Sequence, residues 1–217
     1  MPLLNAPEFE RRSEDFFTAS YLNSVGIIQN VALGLLATKF FGAPVTELLL
    51  LQAPGSFLVI ILIVEEYHWW LILVRRTPTF VDAAIPYVLG AAELSAIEFV
   101  DGANGTWLIA ISTLAVFGIM SLINSRAYCT TDVFQECPWL QRRAQRNLEI
   151  GMVLVSVMLL DLLITRLLWT HLPTWALRIG FAMLYALIIT MITVSARFLR
   201  SVREEFERIA QAPANPT

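Results

Sequence analysis

The chain has 217 residues, of which 57% are hydrophobic and only 15% are charged, with a mean hydropathy of +0.64. A soluble domain is about 25% charged, so too little polar surface exists here to cover a water-facing globule, and the composition predicts an all-α integral membrane protein. Fifteen basic residues against eighteen acidic ones, with no long run of one sign, leave no electrostatic footprint for nucleic acid.

In chain order, the N-terminal segment 1–20 places Phe9, Phe16 and Phe17 among Glu8, Glu10, Glu14 and Asp15. Those acids stand where a secretory signal would carry a basic flank and an apolar core, so the first span is expected to remain as an anchor. Residues Pro7–Ser20 read either as a short helix at the headgroup level or as a polar lead-in to a span.

Six apolar stretches follow, near Tyr21–Phe41, Glu47–Val74, Phe80–Val100, Trp107–Ile123, Leu148–Trp169 and Trp175–Arg197. Each is close to the roughly 20 residues a helix needs to cross the bilayer, and none shows the ten-residue alternation of a barrel strand. Turn chemistry separates them: Gly42-Ala43-Pro44, Arg75-Arg76-Thr77-Pro78, Asp101-Gly102-Ala103-Asn104-Gly105, the polar run 124–147, and Thr170-His171-Leu172-Pro173. The expected fold is therefore a six-transmembrane-helix bundle over residues 21–200, with a cytoplasmic loop at 124–147 and a cytoplasmic C-terminal helix and tail at 201–217. Neither an internal repeat nor a low-complexity segment divides it.

Arginine placement sets the orientation. Arg11 and Arg12, Arg75 and Arg76, Arg126 with Arg142, Arg143 and Arg146, and Arg197 with Arg200, Arg203 and Arg208 make up twelve of the fifteen basic residues. They fall on alternate connections, so the positive-inside rule predicts both termini in the cytoplasm, an N-in/C-in arrangement expected in the inner (plasma) membrane of a bacterium.

Ionisable residues at bilayer depth cost at least ~2.5 kcal/mol each on insertion scales, so each calls for a partner, a cavity or a function. Span two carries Glu65, Glu66 and His68. Counting from Arg75 puts Glu66 roughly 14 Å from the cytoplasmic surface, close to the midplane. Two adjacent carboxyls in apolar surroundings disfavour joint ionisation, and at least one is expected to hold a proton near neutral pH. Span three adds Glu93, with Gly90 one turn below it, where the missing side chain allows another helix or water to approach. These four, Glu65, Glu66, His68 and Glu93, form the candidate transport or proton site.

Glu98, Asp161, Arg166 and Arg178 form a candidate supporting network, in which Glu93, Glu98 and Asp161 neutralise the two arginines between helices. Glu65 and His68 also make a Glu-x-x-His pair, the spacing of carboxylate-bridged metal sites, but the second such motif is missing and no metal is assigned. Asn23, Gln29 and Asn30 read as amides that stitch helices together. The run Gln52-Ala53-Pro54-Gly55 predicts either a plain proline kink or a broken helix with freed carbonyls.

Other chemistry is not supported. Cys129 and Cys137 lie in a reducing compartment with too wide a spacing for zinc. The Asn104-Gly105-Thr106 sequon falls in a very short loop and is not counted. No hydrolase, protease, phosphate-loop or haem-attachment motif is present, and no cofactor is expected. Lys39 at a helix end excludes a buried Schiff base in a late span.

The favoured functional expectation is a channel or carrier for protons or small cations, oligomeric if a pore must be enclosed, with the lipid bilayer and the ion as its partners. The alternative is a non-catalytic subunit of a larger membrane complex, docking through its charges or through the apolar stripe Phe198, Val202, Phe206 and Ile209. A stripe resting on the bundle itself is the plainer reading of that feature. An intramembrane metal-dependent enzyme is third.

Overall fold

A computed structural model describes residues 6–42, 44–73, 80–102, 105–129 and 137–211. They form six helices: α1 (Ala6–Gly42), α2 (Glu47–Leu73), α3 (Phe80–Glu98), α4 (Thr106–Tyr128), α5 (Pro138–Leu167) and α6 (Thr174–Gln211). Five of these, all but α3, contain stretches long and apolar enough to cross a membrane. By length and composition the chain is thus a candidate multi-pass integral membrane protein. The exception, α3, has nineteen residues and carries Asp82, Glu93 and Glu98 within them.

Helix boundaries follow local chemistry. Thr46 caps α2, its hydroxyl accepting the Leu49 N–H at 3.0 Å, which satisfies one of the orphan donors of the first turn. Pro138 stands at the first position of α5, where its fixed φ and missing N–H cost nothing. The polar run 124–147, expected as a loop, is helical at both ends, because no breaker stands between Ile123 and Tyr128 and because Pro138 opens the next helix. Similarly, Pro7–Ser20 is not a separate element. It continues without interruption into the first span as part of the 37-residue α1.

Between α3 and α4 the chain turns on Asp101, in the left-handed region at φ 69°, and on Gly105 at φ 67°. Asp is one of the few non-glycine residues that tolerate this conformation. Here it is held from α2: the Asp101 N–H donates to Gln52 Oε1 at 2.7 Å, and Thr46 Oγ1 donates to its carboxylate.

Packing closes the helices into a ring. α1 lies on α3, α3 on α4, α4 on α5, α5 on α6, α6 on α2 and α2 on α1, with α2 and α3 also in contact. Relative directions follow from paired residues. α1 and α3 advance together through Ser24–Tyr87 and Gln29–Glu93, and α2 and α6 through Glu47–Arg178, Leu51–Tyr185 and Glu66–Ser195. α5 and α6 run oppositely, since Arg143 meets Ser201 whereas Thr165 meets Gly180.

Small residues set the close approaches, as expected where lipid removes the hydrophobic drive between helices. Ala32 and Ala144 are fully buried. A Cβ on Gly55 would lie 3.0 Å from Tyr185 Cε1 and 3.3 Å from Trp107. Trp107 is completely enclosed, donates from Nε1 to Ser56 Oγ at 3.0 Å and packs on Phe181 with ring centroids 5.5 Å apart.

Pro54 lies inside α2, and the helix runs through it unbroken. Of the two expectations for this segment, a broken end is not what forms. Proline removes the donor that would reach the Leu50 carbonyl, and the neighbouring Leu51 carbonyl accepts from the Tyr185 hydroxyl of α6.

Candidate functional site: one buried and one half-buried carboxyl in a helix ring

Glu66 lies nineteen residues along α2 from Glu47, about 28 Å at the helical rise, which is nearly the full apolar thickness of a bilayer. It therefore sits toward the end of the bundle opposite the Glu47–Arg178 ion pair, not close to the midplane as the count from Arg75 predicts, because α2 is longer than the bilayer is thick. Ser195 of α6 donates from Oγ to Glu66 Oε1 at 2.7 Å.

A cavity of about 10 Å³ opens beside this bond, lined by Glu66, Ser195, Asn147, Gly151, Leu122 and Met191, among others. That is about the space of one water, and Glu66, Asn147 and Ser195 supply the polar partners a water needs. Leu122 is four residues from Arg126, whose guanidinium pairs with Glu149 at 3.0 Å in the open. The cavity thus lies about 6 Å below an exposed ion pair at the arginine-rich end.

Glu93 occupies a different place, between α3 and α1. It is 2% exposed, and its neighbour Gln29 is 6% exposed. Gln29 Nε2 donates to Glu93 Oε2 at 2.9 Å. Glu93 Oε1 and Gln29 Oε1 are both buried with no hydrogen-bond partner. One turn away, a Cβ on Gly90 would fall 2.7 Å from Ile28 Cγ2. Of the two possibilities for the gap at Gly90, another helix fills it.

Among the described residues, Glu66 and Glu93 share no partner, so they are two sites rather than one. Glu65 is partly buried on α2, with no hydrogen bond or ion pair among the described residues. His68 is on α2, and its side chain lies outside the described residues, as do Arg75 and Arg76. No group of three or more His, Cys, Asp or Glu that could hold a metal comes together among the described residues.

The supporting network does not assemble as the spacing suggested. Glu98 pairs with Lys39 at 3.1 Å, and Arg178 pairs with Glu47 at 2.8 Å, both side chains exposed. Asp161 has no hydrogen bond or ion pair among the described residues. The Arg166 Nε is buried and unpartnered, with Cδ packed where a Cβ on Gly105 would lie only 3.3 Å away. Lys39 and Glu47 took these roles because helix-end residues on adjacent turns of the ring are closer than charges one helix further on.

In the C-terminal part of α6, Phe198 and Val202 are buried, and Phe206 meets Trp139 of α5 edge-on at 5.6 Å. Their stripe rests on the bundle itself, while Ile209 lies outside the residues whose side chains are described. Along the same helix, Arg203 pairs with Glu207 at 2.8 Å and Arg208 with Glu205 at 2.9 Å.

Sequence reasoning missed Ser195 as a partner of Glu66 and Asn147 as a residue lining the same cavity, because single polar residues in an apolar helix carry no signal of what they face. It read Gln29 as a stitching amide, and its depth in α1 was the available clue to Glu93.

No protein-family model, no curated protein and no solved structure matches this chain.

Proposed function

We propose that the chain handles protons or small cations, as a channel or carrier, through acidic groups inside its helix ring. In this reading α3 completes a six-span bundle with both termini cytoplasmic in a bacterial inner membrane, and the amphipathic end of α6 lies at the cytoplasmic face. Glu93 carries the reading: a carboxyl 2% exposed with no cationic side chain bonded to it is expensive inside a membrane, and such residues mark ion and proton paths. The polar cavity at Glu66 supports it from the arginine-rich end, where a water beside a carboxyl supplies an entry point.

A non-catalytic subunit of a larger complex remains the alternative. Its main sequence feature was the apolar stripe on α6, and Phe198 and Val202 are already covered within the chain.

Reconstitution in liposomes tests the proposal. Under a pH or cation gradient the purified protein should carry flux, and Glu93→Gln and Glu66→Gln should suppress it while Glu98→Gln, at an exposed ion pair, should not. Absence of flux under every gradient would hand the lead to the interaction-subunit reading. Reporters fused after Arg76, Arg143 and Arg208 should read cytoplasmic and those at Gly102 and His171 external; an external Arg143 would overturn the orientation.

A further inference from the structure

The Glu93–Gln29 contact is incomplete in a way that identifies what completes it. Gln29 holds both of its donors on Nε2, one of them committed to Glu93 Oε2 at 2.9 Å. The remaining oxygen of each side chain is an acceptor with nothing to accept. Among the buried side-chain atoms described, these two are the unpartnered oxygens; the other unpartnered atoms are nitrogens, on Gln52 and Arg166. An ionised Glu93 would leave a full negative charge and two empty acceptors sealed from water, the costliest arrangement available to these groups.

Among the described residues, the charged groups on the elements packed around Glu93 are paired elsewhere or are themselves acids. From α1, Lys39 bonds to the Glu98 carboxylate and carbonyl. On α3 itself, Tyr87 shares a hydrogen bond with Ser24 of α1. From α2, Glu47 is paired with Arg178, and Glu65 and Glu66 are acids that cannot neutralise another. From α4, Arg126 is paired with Glu149.

We propose that Glu93 and Gln29 are a proton-holding pair, in which Glu93 is a neutral acid whose Oε1–H is donated to the amide oxygen of Gln29. Acid and amide then donate to each other, and one proton removes the charge and fills both vacant positions. Uptake forms a single O–H bond on Oε1 from a proton delivered by water, and release breaks that bond and leaves the carboxylate. The inference rests on the proton- or cation-handling reading for its purpose, and it narrows the ion to a proton. Hard metal ions take six or more oxygens, whereas this site offers two and is closed one turn away by the apolar contact of Gly90 with Ile28.

Infrared difference spectroscopy on the full chain in lipid, wild type against Glu93→Gln, tests the proposal. At neutral pH a protonated-carboxyl carbonyl band should be present, move in D2O, vanish in Glu93→Gln, and shift to higher frequency in Gln29→Leu, which removes its hydrogen-bond partners. It should be unchanged when potassium is exchanged for sodium or calcium. The amide in Glu93→Gln can reproduce the two-way bond, so its thermal unfolding should match wild type, while Gln29→Leu should unfold several degrees lower. A carboxylate band at Glu93 in place of the carbonyl band would overturn the proposal, and so would a carbonyl band lost on adding sodium or calcium. If Glu93→Gln does not fold, the Gln29→Leu frequency shift alone decides. A carbonyl band without liposome flux sinks transport and leaves the pair standing; flux with an ionised Glu93 does the reverse.

Discussion

Ser195 Oγ lies 2.7 Å from Glu66 Oε1, joining the middle of α6 to the distal part of α2 across a cavity with room for one water. The bond places a carboxyl between parallel helices where sequence spacing showed only an acid without a base. Hydrogen bonds to charged or partly buried acceptors are worth about 1.5–3 kcal/mol, and removing the donor leaves the acceptor to desolvation. Ser195→Ala should therefore lower unfolding stability in detergent by about 1–2 kcal/mol. Glu66→Gln, which keeps an acceptor oxygen for the hydroxyl, should cost less. The reverse order would mean that Glu66 is held by its charge rather than by this bond.

Gly90 decides how closely α1 and α3 approach. A methyl there would sit 2.7 Å from Ile28 Cγ2, well inside contact distance, and overpacking of this kind costs about 1–3 kcal/mol. Gly90→Ala should destabilise the protein, and Ile28→Ala in the same chain should recover a large part of the loss. Strict additivity of the two changes in a thermal-unfolding cycle would show that the helices separate without strain.

Trp107 ties α4 to α2 through Ser56 and to α6 through Phe181. Complete burial makes truncation expensive, so Trp107→Ala should cost about 3–5 kcal/mol. Trp107→Phe retains an aromatic surface and should lose only about 1–2 kcal/mol for the missing donor. Equal losses in the two variants would assign the whole effect to the hydrogen bond.

Cys129, beyond the end of α4, has no exposed surface, and burial pushes its thiol up to about 11 against the opposing pull of Arg126. Only about a thousandth of it is thiolate near pH 8, and the thiolate is the nucleophile. With Cys137→Ser in the background, alkylation of folded protein should be slow and should accelerate on unfolding. A rapid reaction in the folded state would contradict the enclosure of this thiol.

Arg178 was expected within a buried network, but its partner Glu47 stands at the start of α2, and both side chains are more than half exposed, at 62% and 51%. Exposed ion pairs contribute little. Arg178→Leu should leave the unfolding temperature close to wild type, and a large drop would require a second role for the guanidinium.

Much of the architecture was legible in the sequence, because the bilayer imposes length and polarity on each segment independently of its neighbours. The positions of the helices, their all-α character and the turns at Asp101 and Pro173 follow from local composition alone, as does the presence of acids where acids are costly. Helix ends were less legible. α1 and α5 run well past their apolar stretches, because a helix continues through polar residues until a breaker stops it, and hydropathy does not register that.

Partner choice was not legible at all. Glu98 met Lys39, Arg178 met Glu47, Glu66 met Ser195 and Glu93 met Gln29, and all four pairings join residues far apart in the chain. The order of helices around the ring and the offset between each packed pair select them. Those are set by side-chain shape at contacts such as Gly90 on Ile28 and Gly55 beneath Trp107 and Tyr185, which no single span contains. Composition thus determined that the chain has helices long and apolar enough to span a membrane and that ionisable residues fall within its apolar stretches. Only the packing decided that two of its carboxyls occupy separate enclosures, one beside a water-sized cavity and one facing an amide.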